Sequence, residues 1–272
     1  MQASIPDRES ALASAIAQFR LEPDDWIATE HLAQELAGAL KLVKVGTSSA
    51  ETLALFLASS ILEAMFGVVV LCRSPGASHA YSVARAGLEA FVDLSLLLED
   101  GDYQNEMECQ AATNQKRKAD AMLRAVRKDP KIALRVDVLE ERIRAAQRRL
   151  DRLPPGTKRR AVGQRIAAAG LGGAWWIAWY QFGAGTHNDL DSLISRHYRD
   201  REVTFGDGLT DHQKGLVIHG SATIAFSAVH ALAGRSDNRV PLLVALDRAG
   251  QAMKRFGQRM PRPPESDSLA RS

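Results

Sequence analysis

The chain has 272 residues, 46% of them hydrophobic and 25% charged, with a net charge of +3. These are globular proportions, and they exclude a disordered or collagen-like chain. Two cysteines, Cys72 and Cys109, are too few for a disulfide framework or a four-cysteine zinc site.

The N-terminal stretch MQASIPDRES has no apolar run, unlike a secretory or transit leader, so a cytoplasmic location is expected. Helix start and stop signals then divide the chain. A first short helix is predicted over 7–20. Pro23 opens a second that runs to about 45 and ends at Gly46. Ser48 or Ser49 caps a third over about 50–72, and Ser78 can cap a fourth over about 79–99. A fifth covers 103–128 and a sixth 131–153, which stops at Pro154-Pro155. A seventh covers about 157–169, an eighth 174–182 ending at Gly183, and a ninth runs from Thr186 to about 199. The last two cover about 210–233 and 240–259. Glu202-Val203-Thr204-Phe205 is the one strand candidate, and the tail over 261–272 reads as disordered.

Residues 52–72 and 216–234 are long enough to cross a bilayer. Glu63 at the middle of the first would cost about 3 kcal/mol there. His219 and His230 interrupt the second, so both read as buried core helices and a membrane partner is not expected.

The sixth helix carries the clearest pattern. Ile132, Val136, Leu139, Ile143, Ala146, Leu150 and Leu153 step alternately by four and three residues, an apolar seam over three heptads. Its partner is either the fifth helix, folded back as a hairpin, or a second copy of the chain. Charge gathers on the same arm. Residues 116–165 hold 17 Lys/Arg against 6 Asp/Glu, whereas residues 1–115 hold 6 against 16. Such an arm either attracts a polyanion, such as RNA or an anionic lipid surface, or is a solvated coiled-coil face or an arm docked on the acidic body of a second subunit. Arg142, Arg148, Arg149, Lys158, Arg159 and Arg160 are the candidate polyanion ligands. Few aromatics lie among them, so base stacking on the arm is not expected.

Two further groups could carry chemistry. On the fourth helix His79, Ser82, Arg85, Glu89 and Asp93 fall within a sector of roughly 120°. They are either the exposed side of an amphipathic helix or a polar cluster facing a cleft. The second group is the corner from Tyr180 to Asp189. Thr186 and Asp189 have capping-box spacing, which puts His187 in the first turn of a helix, where free N–H groups favour its neutral form. Arg85, Glu89, Tyr180 and His187 are therefore the candidate catalytic residues, expected to converge in one cleft. Trp175, Trp176 and Trp179 read as core. The sequence contains no HExxH, Walker A, GxGxxG or GxSxG motif, and no metal site or cofactor is expected.

The run Ala84-Arg85-Ala86-Gly87-Leu88-Glu89, with the later Tyr180…Thr186-His187 corner, resembles a bacterial all-helical domain-of-unknown-function family over roughly residues 40–235. That resemblance implies that Arg85, Glu89, Tyr180 and His187 belong together in space. More distantly, Arg73 and His79, with five residues between them, resemble the Arg-x4-6-His element of the HEPN superfamily of helical ribonucleases. Ser74 and the Pro75-Gly76 break depart from that element.

The expected fold is an all-α helical bundle of about ten or eleven helices with a projecting, basic, coiled-coil-like hairpin. It forms a single domain over 1–260 with its arm at about 103–153. The expected function is a HEPN-like RNA-associated protein, such as a toxin or phage-defence ribonuclease. The alternative is a non-catalytic dimeric module for interaction or ligand binding. A homo-oligomer is expected in either case.

Overall fold

The computed structural model describes residues 18–44, 46, 48–129, 131, 134–184, 198–199, 202–203 and 209–259. Among these the protein is all-helical apart from one two-residue ladder. It divides into two compact units, Met1–Leu94 with Leu171–Ser272, and Ser95–Gly170.

In the first unit, α1 (Pro23–Leu42) starts where the sequence signals it, with proline in the first turn. The Asp25 carboxylate accepts the Glu22 backbone N–H at 2.9 Å. The same buried carboxylate accepts from Arg259 Nη1 at 2.5 Å. α2 (Ser49–Cys72) is capped by Ser48, whose hydroxyl accepts the Glu51 N–H at 3.2 Å while Glu51 accepts the Ser48 N–H at 3.1 Å. This capping box satisfies donors that a helix start leaves open. A 3-10 turn at Ala77–His79 leads into α3 (Ala80–Glu99), which belongs to this unit as far as Leu94, so Ser78 lies inside that turn. α2 and α3 approach closely: a Cβ at Gly87 would stand 3.1 Å from the Ala64 methyl. To keep the chain numbering, the helices of the second unit are α4 (Tyr103–Lys128), α5 (Val136–Asp151) and α6 (Val162–Ala168).

The first unit resumes with α7 (Gly173–Ala184), α8 (Asp211–Ala233) and α9 (Arg239–Arg259). α8 packs against α1, α2 and α9 and buries Val217, Ile218, Ala222, Ala225, Val229 and Leu232. α1 and α9 run antiparallel, tied by Arg259 to Asp25 at one end and by Arg248 Nε to Glu35 at 3.2 Å further along. α2 and α8 are both long and apolar enough to cross a membrane, with mean hydropathies of 2.2 and 1.5. α8 is the more buried of the two, while α2 leaves Phe56, Phe66 and Val70 exposed.

In the second unit α4 and α5 form an antiparallel hairpin. Arg127 Nη2 donates to Glu140 at 3.3 Å, Lys116 Nζ to Gln147 at 2.7 Å, and Arg149 to Glu108 at 2.5 and 2.8 Å. Leu123, Val126 and Leu139 form its apolar centre, with Ile143 packed against them. The partner of the heptad seam is thus the preceding helix.

Several expected boundaries move. α5 starts at Val136, not 131, and Leu134 and Arg135 before it are not helical. Val136 is consequently an exposed end of the seam, and Ile132 lies outside the described residues. α6 is shorter than expected because the chain at Thr157–Ala161 is not helical. There the Arg160 backbone N–H donates to Glu106 at 3.0 Å. α7 continues through Gly183, since that glycine packs inside the helix against Arg85 instead of ending it.

The ninth expected helix does not reach 199. Tyr198–Arg199 pair antiparallel with Glu202–Val203, placing Tyr198 opposite Val203 and Arg199 opposite Glu202. Strand-favouring residues and opposite charges in register support that ladder. Nine α-helices are present among the described residues, against the ten or eleven expected. The helix expected over 7–20 falls almost wholly outside them, as do residues 186–197 and the tail over 261–272.

Candidate functional site

Arg85 and Glu89 stand one turn apart on α3, and Arg85 Nε donates to Glu89 Oε1 at 3.2 Å. α7 covers the pair. The guanidinium carbon lies 4.2 Å from the centroid of a Trp179 ring, and Trp179 Nε1 donates to the same Glu89 oxygen at 3.3 Å. Gly183, one turn further along α7, leaves room for the guanidinium: a Cβ there would stand 3.0 Å from Arg85 Nη1. Phe91 stacks on Trp175 with centroids 5.0 Å apart, extending the α3–α7 contact. The polar sector of α3 therefore faces another helix. Within it Asp93 is buried, Ser82 is half-buried and His79 is exposed.

Of the four candidate catalytic residues, the structure joins Arg85 with Glu89. Tyr180 is 58% exposed, and its ring meets Trp179 edge-on at 5.5 Å. The aromatic one residue earlier, Trp179, donates its indole N–H to the carboxylate. Consecutive helix positions differ by about 100°, and nothing local to α7 says which of them turns toward α3. His187 lies outside the described residues. The cluster is an oriented ion pair under an indole, a cation–π arrangement that fixes the guanidinium plane. Of the HEPN-like pair, Arg73 is bonded to Glu30 and lies 5.0 Å from the Trp26 ring centroid, while His79 is exposed.

The basic candidates divide in the same way. Arg149 is committed to Glu108 and to Gln115 at 2.8 Å. Arg160 bonds Glu106 at 2.8 Å and lies 5.3 Å from the centroid of the buried Tyr103 ring. Arg148 reaches Glu141 at 2.7 Å, and Arg159 is half-buried. These four serve the hairpin and its flanking chain. Arg142 and Lys158 are exposed and carry no ion pair among the described residues.

The hairpin also offers cations that sequence reasoning passed over. Arg117, Lys118, Arg124, Lys128, Lys131 and Arg152 are exposed and have no carboxylate partner among the described residues. Their signal in the sequence was the spacing of Arg117, Arg124 and Lys128, seven and then four residues apart, which aligns them on one side of α4. The carboxylates of the hairpin are largely spent on other cations. Glu108 and Glu141 are held below the usual carboxylate range, by hydrogen bonds from Arg149 and from Arg148 with Arg144 respectively.

A groove of about 550 Å³ runs between α1 and α9, lined by Asp24, Ile27, His31, Arg248, Gln251 and Arg255. No sequence signal marks it, because it arises only when helices some two hundred residues apart pair. Among the described residues no cluster of three His, Cys, Asp or Glu could hold a metal ion. No family model, no curated protein and no solved structure matches the chain.

Proposed function

We propose that this is an RNA-associated helical protein that binds a polyanion through the basic, coiled-coil-like α4–α5 hairpin. One observation carries the reading. Eight exposed cations of the second unit, Arg117, Lys118, Arg124, Lys128, Lys131, Arg142, Arg152 and Lys158, have no ion-pair partner among the described residues. Glu108, Glu140 and Glu141 of the same unit are engaged by other arginines, and Asp120, one turn from Arg117 and from Arg124, is half-buried. Unpaired surface cations at this density release counterions from a nucleic acid when they dock on it. Binding is what these residues support, and cleavage is not part of the proposal, since Arg73 is engaged by Glu30 and Trp26.

The test is a titration of the full chain with fluorescein-labelled RNA at about 50 mM and about 200 mM salt. The proposal expects binding that weakens steeply with salt, and weakens again in the Arg142→Glu/Lys158→Glu variant. No binding at the lower salt would overturn it.

A further inference from the structure

We infer that the hairpin takes base-paired nucleic acid by its phosphate backbone, without stacking on bases. This rests on the polyanion reading above and names the form of the ligand. Arg117, Arg124 and Lys128 fall within about 40° of one another around α4. They span about 16 Å of its length. The buried residues Ala112, Ala119, Leu123 and Val126 face the other way, toward α5, so the file of cations lies on the outer side of the hairpin. Short side chains lie among them: Thr113, Ala121 and Ala125 are all exposed. A straight helix face with cations raised above short side chains is shaped to lie along a rod of charge. The nearest acid is Asp120, half-buried on the edge of this face.

The second observation is the composition of the unit. Residues 95–170 contain one aromatic, Tyr103, and no histidine. Tyr103 is wholly buried, with Arg160 over its ring, so it is not available to a base. Proteins that hold single strands without sequence preference combine a basic groove with aromatic platforms. This hairpin has the cations and lacks the platforms. For a purely electrostatic surface, the ligand with the denser charge wins. A duplex carries a charge every 1.7 Å or so of axis and is already rigid, whereas a single strand releases fewer counterions per contact and must be ordered first.

The experiment compares a short duplex RNA, the duplex DNA of the same sequence and the single-stranded RNA, each titrated against the full chain across a salt series. Expected is binding of both duplexes at least about tenfold tighter than of the single strand. The triple variant Arg117→Ala/Arg124→Ala/Lys128→Ala, with its helical content checked by circular dichroism, should reduce the salt slope for duplex by about 2 to 3. The Arg117→Lys/Arg124→Lys variant should retain the slope. Equal or tighter binding of the single strand would overturn this inference and leave the polyanion reading standing. An unchanged slope in the folded triple variant would overturn the placement of the ligand on this face. Absence of binding by all three nucleic acids would overturn both.

Discussion

Arg149 of α5 reaches back to Glu108 of α4 through two hydrogen bonds, Nε to Oε1 at 2.5 Å and Nη2 to Oε2 at 2.8 Å. The residues are 41 apart in the chain, and the pair fixes the register of the hairpin near its open end. Such a two-pronged pair is directional in a way that a lysine could not reproduce.

Its pH dependence follows from the lowered Glu108 carboxyl, whose main cause is the hydrogen bonding from Arg149. A carboxyl with a depressed folded value stabilises fully above the ordinary value of about 4.3. The contribution is lost as pH falls through the lowered folded value. Both side chains are more than a third exposed, at 39% and 37%, so the whole contribution is about 1 kcal/mol at most. Glu108→Gln should therefore lose that amount at pH 7 in urea unfolding, with the difference from the parent closing as pH falls below the ordinary carboxylate range. A difference that persists unchanged into acid would show that the pair contributes nothing through charge.

Leu139 is 3% exposed in the apolar centre of the hairpin. Leu139→Ala should cost about 2–4 kcal/mol, through lost burial and the cavity it leaves. The loss should appear as faster amide exchange along α4 and α5. Unchanged exchange there would mean that Leu123, Val126 and Ile143 hold the hairpin without it.

The Arg85–Glu89–Trp179 cluster is less buried than a core ion pair, its two charged side chains being 21% and 34% exposed. Glu89→Ala should therefore cost only about 1–2 kcal/mol, less than the several kcal/mol of a fully stranded buried charge. Trp179 also loses the acceptor for its Nε1–H, so tryptophan fluorescence should shift with the substitution. A loss above about 4 kcal/mol would place the pair in a much drier setting than the structure gives it.

Cys72 is buried, and burial pushes its thiol up to about 12. A thiol reagent at about pH 8 should leave it unmodified in the native protein, because the nucleophile is the thiolate. Cys109 is half-buried, with its sulfur 3.4 Å from the Thr157 carbonyl oxygen, and should react first. Two fast-reacting thiols per native chain would contradict this.

Much of the helical layout was legible in residue order. Helix starts and stops come from contacts within a few residues, and Ser48 with Glu51, or Thr210 with Gln213, satisfy their donors locally. The limits of α4, Tyr103–Lys128, match the expected ones for the same reason. Two boundaries moved where a distant residue intervened. Glu106 holds Arg160 and keeps the chain before α6 extended, and Arg85 packs against Gly183 so that α7 runs on.

By itself, the sequence determined the helical class, the apolar seam of α5 and the concentration of cations on one arm, because these depend on residue type and on a spacing of about 3.6 per turn. Only the tertiary structure decided which cations remain open. Pairing α4 with α5 brings Arg149 to Glu108 and Arg127 to Glu140, where a carboxylate offsets each charge, and leaves Arg117, Arg124 and Lys128 on the outer face. It also placed the Trp179 indole against Glu89. The rotation of a helix about its own axis is set by the neighbour it packs on, and that neighbour, α3, lies some ninety residues away along the chain.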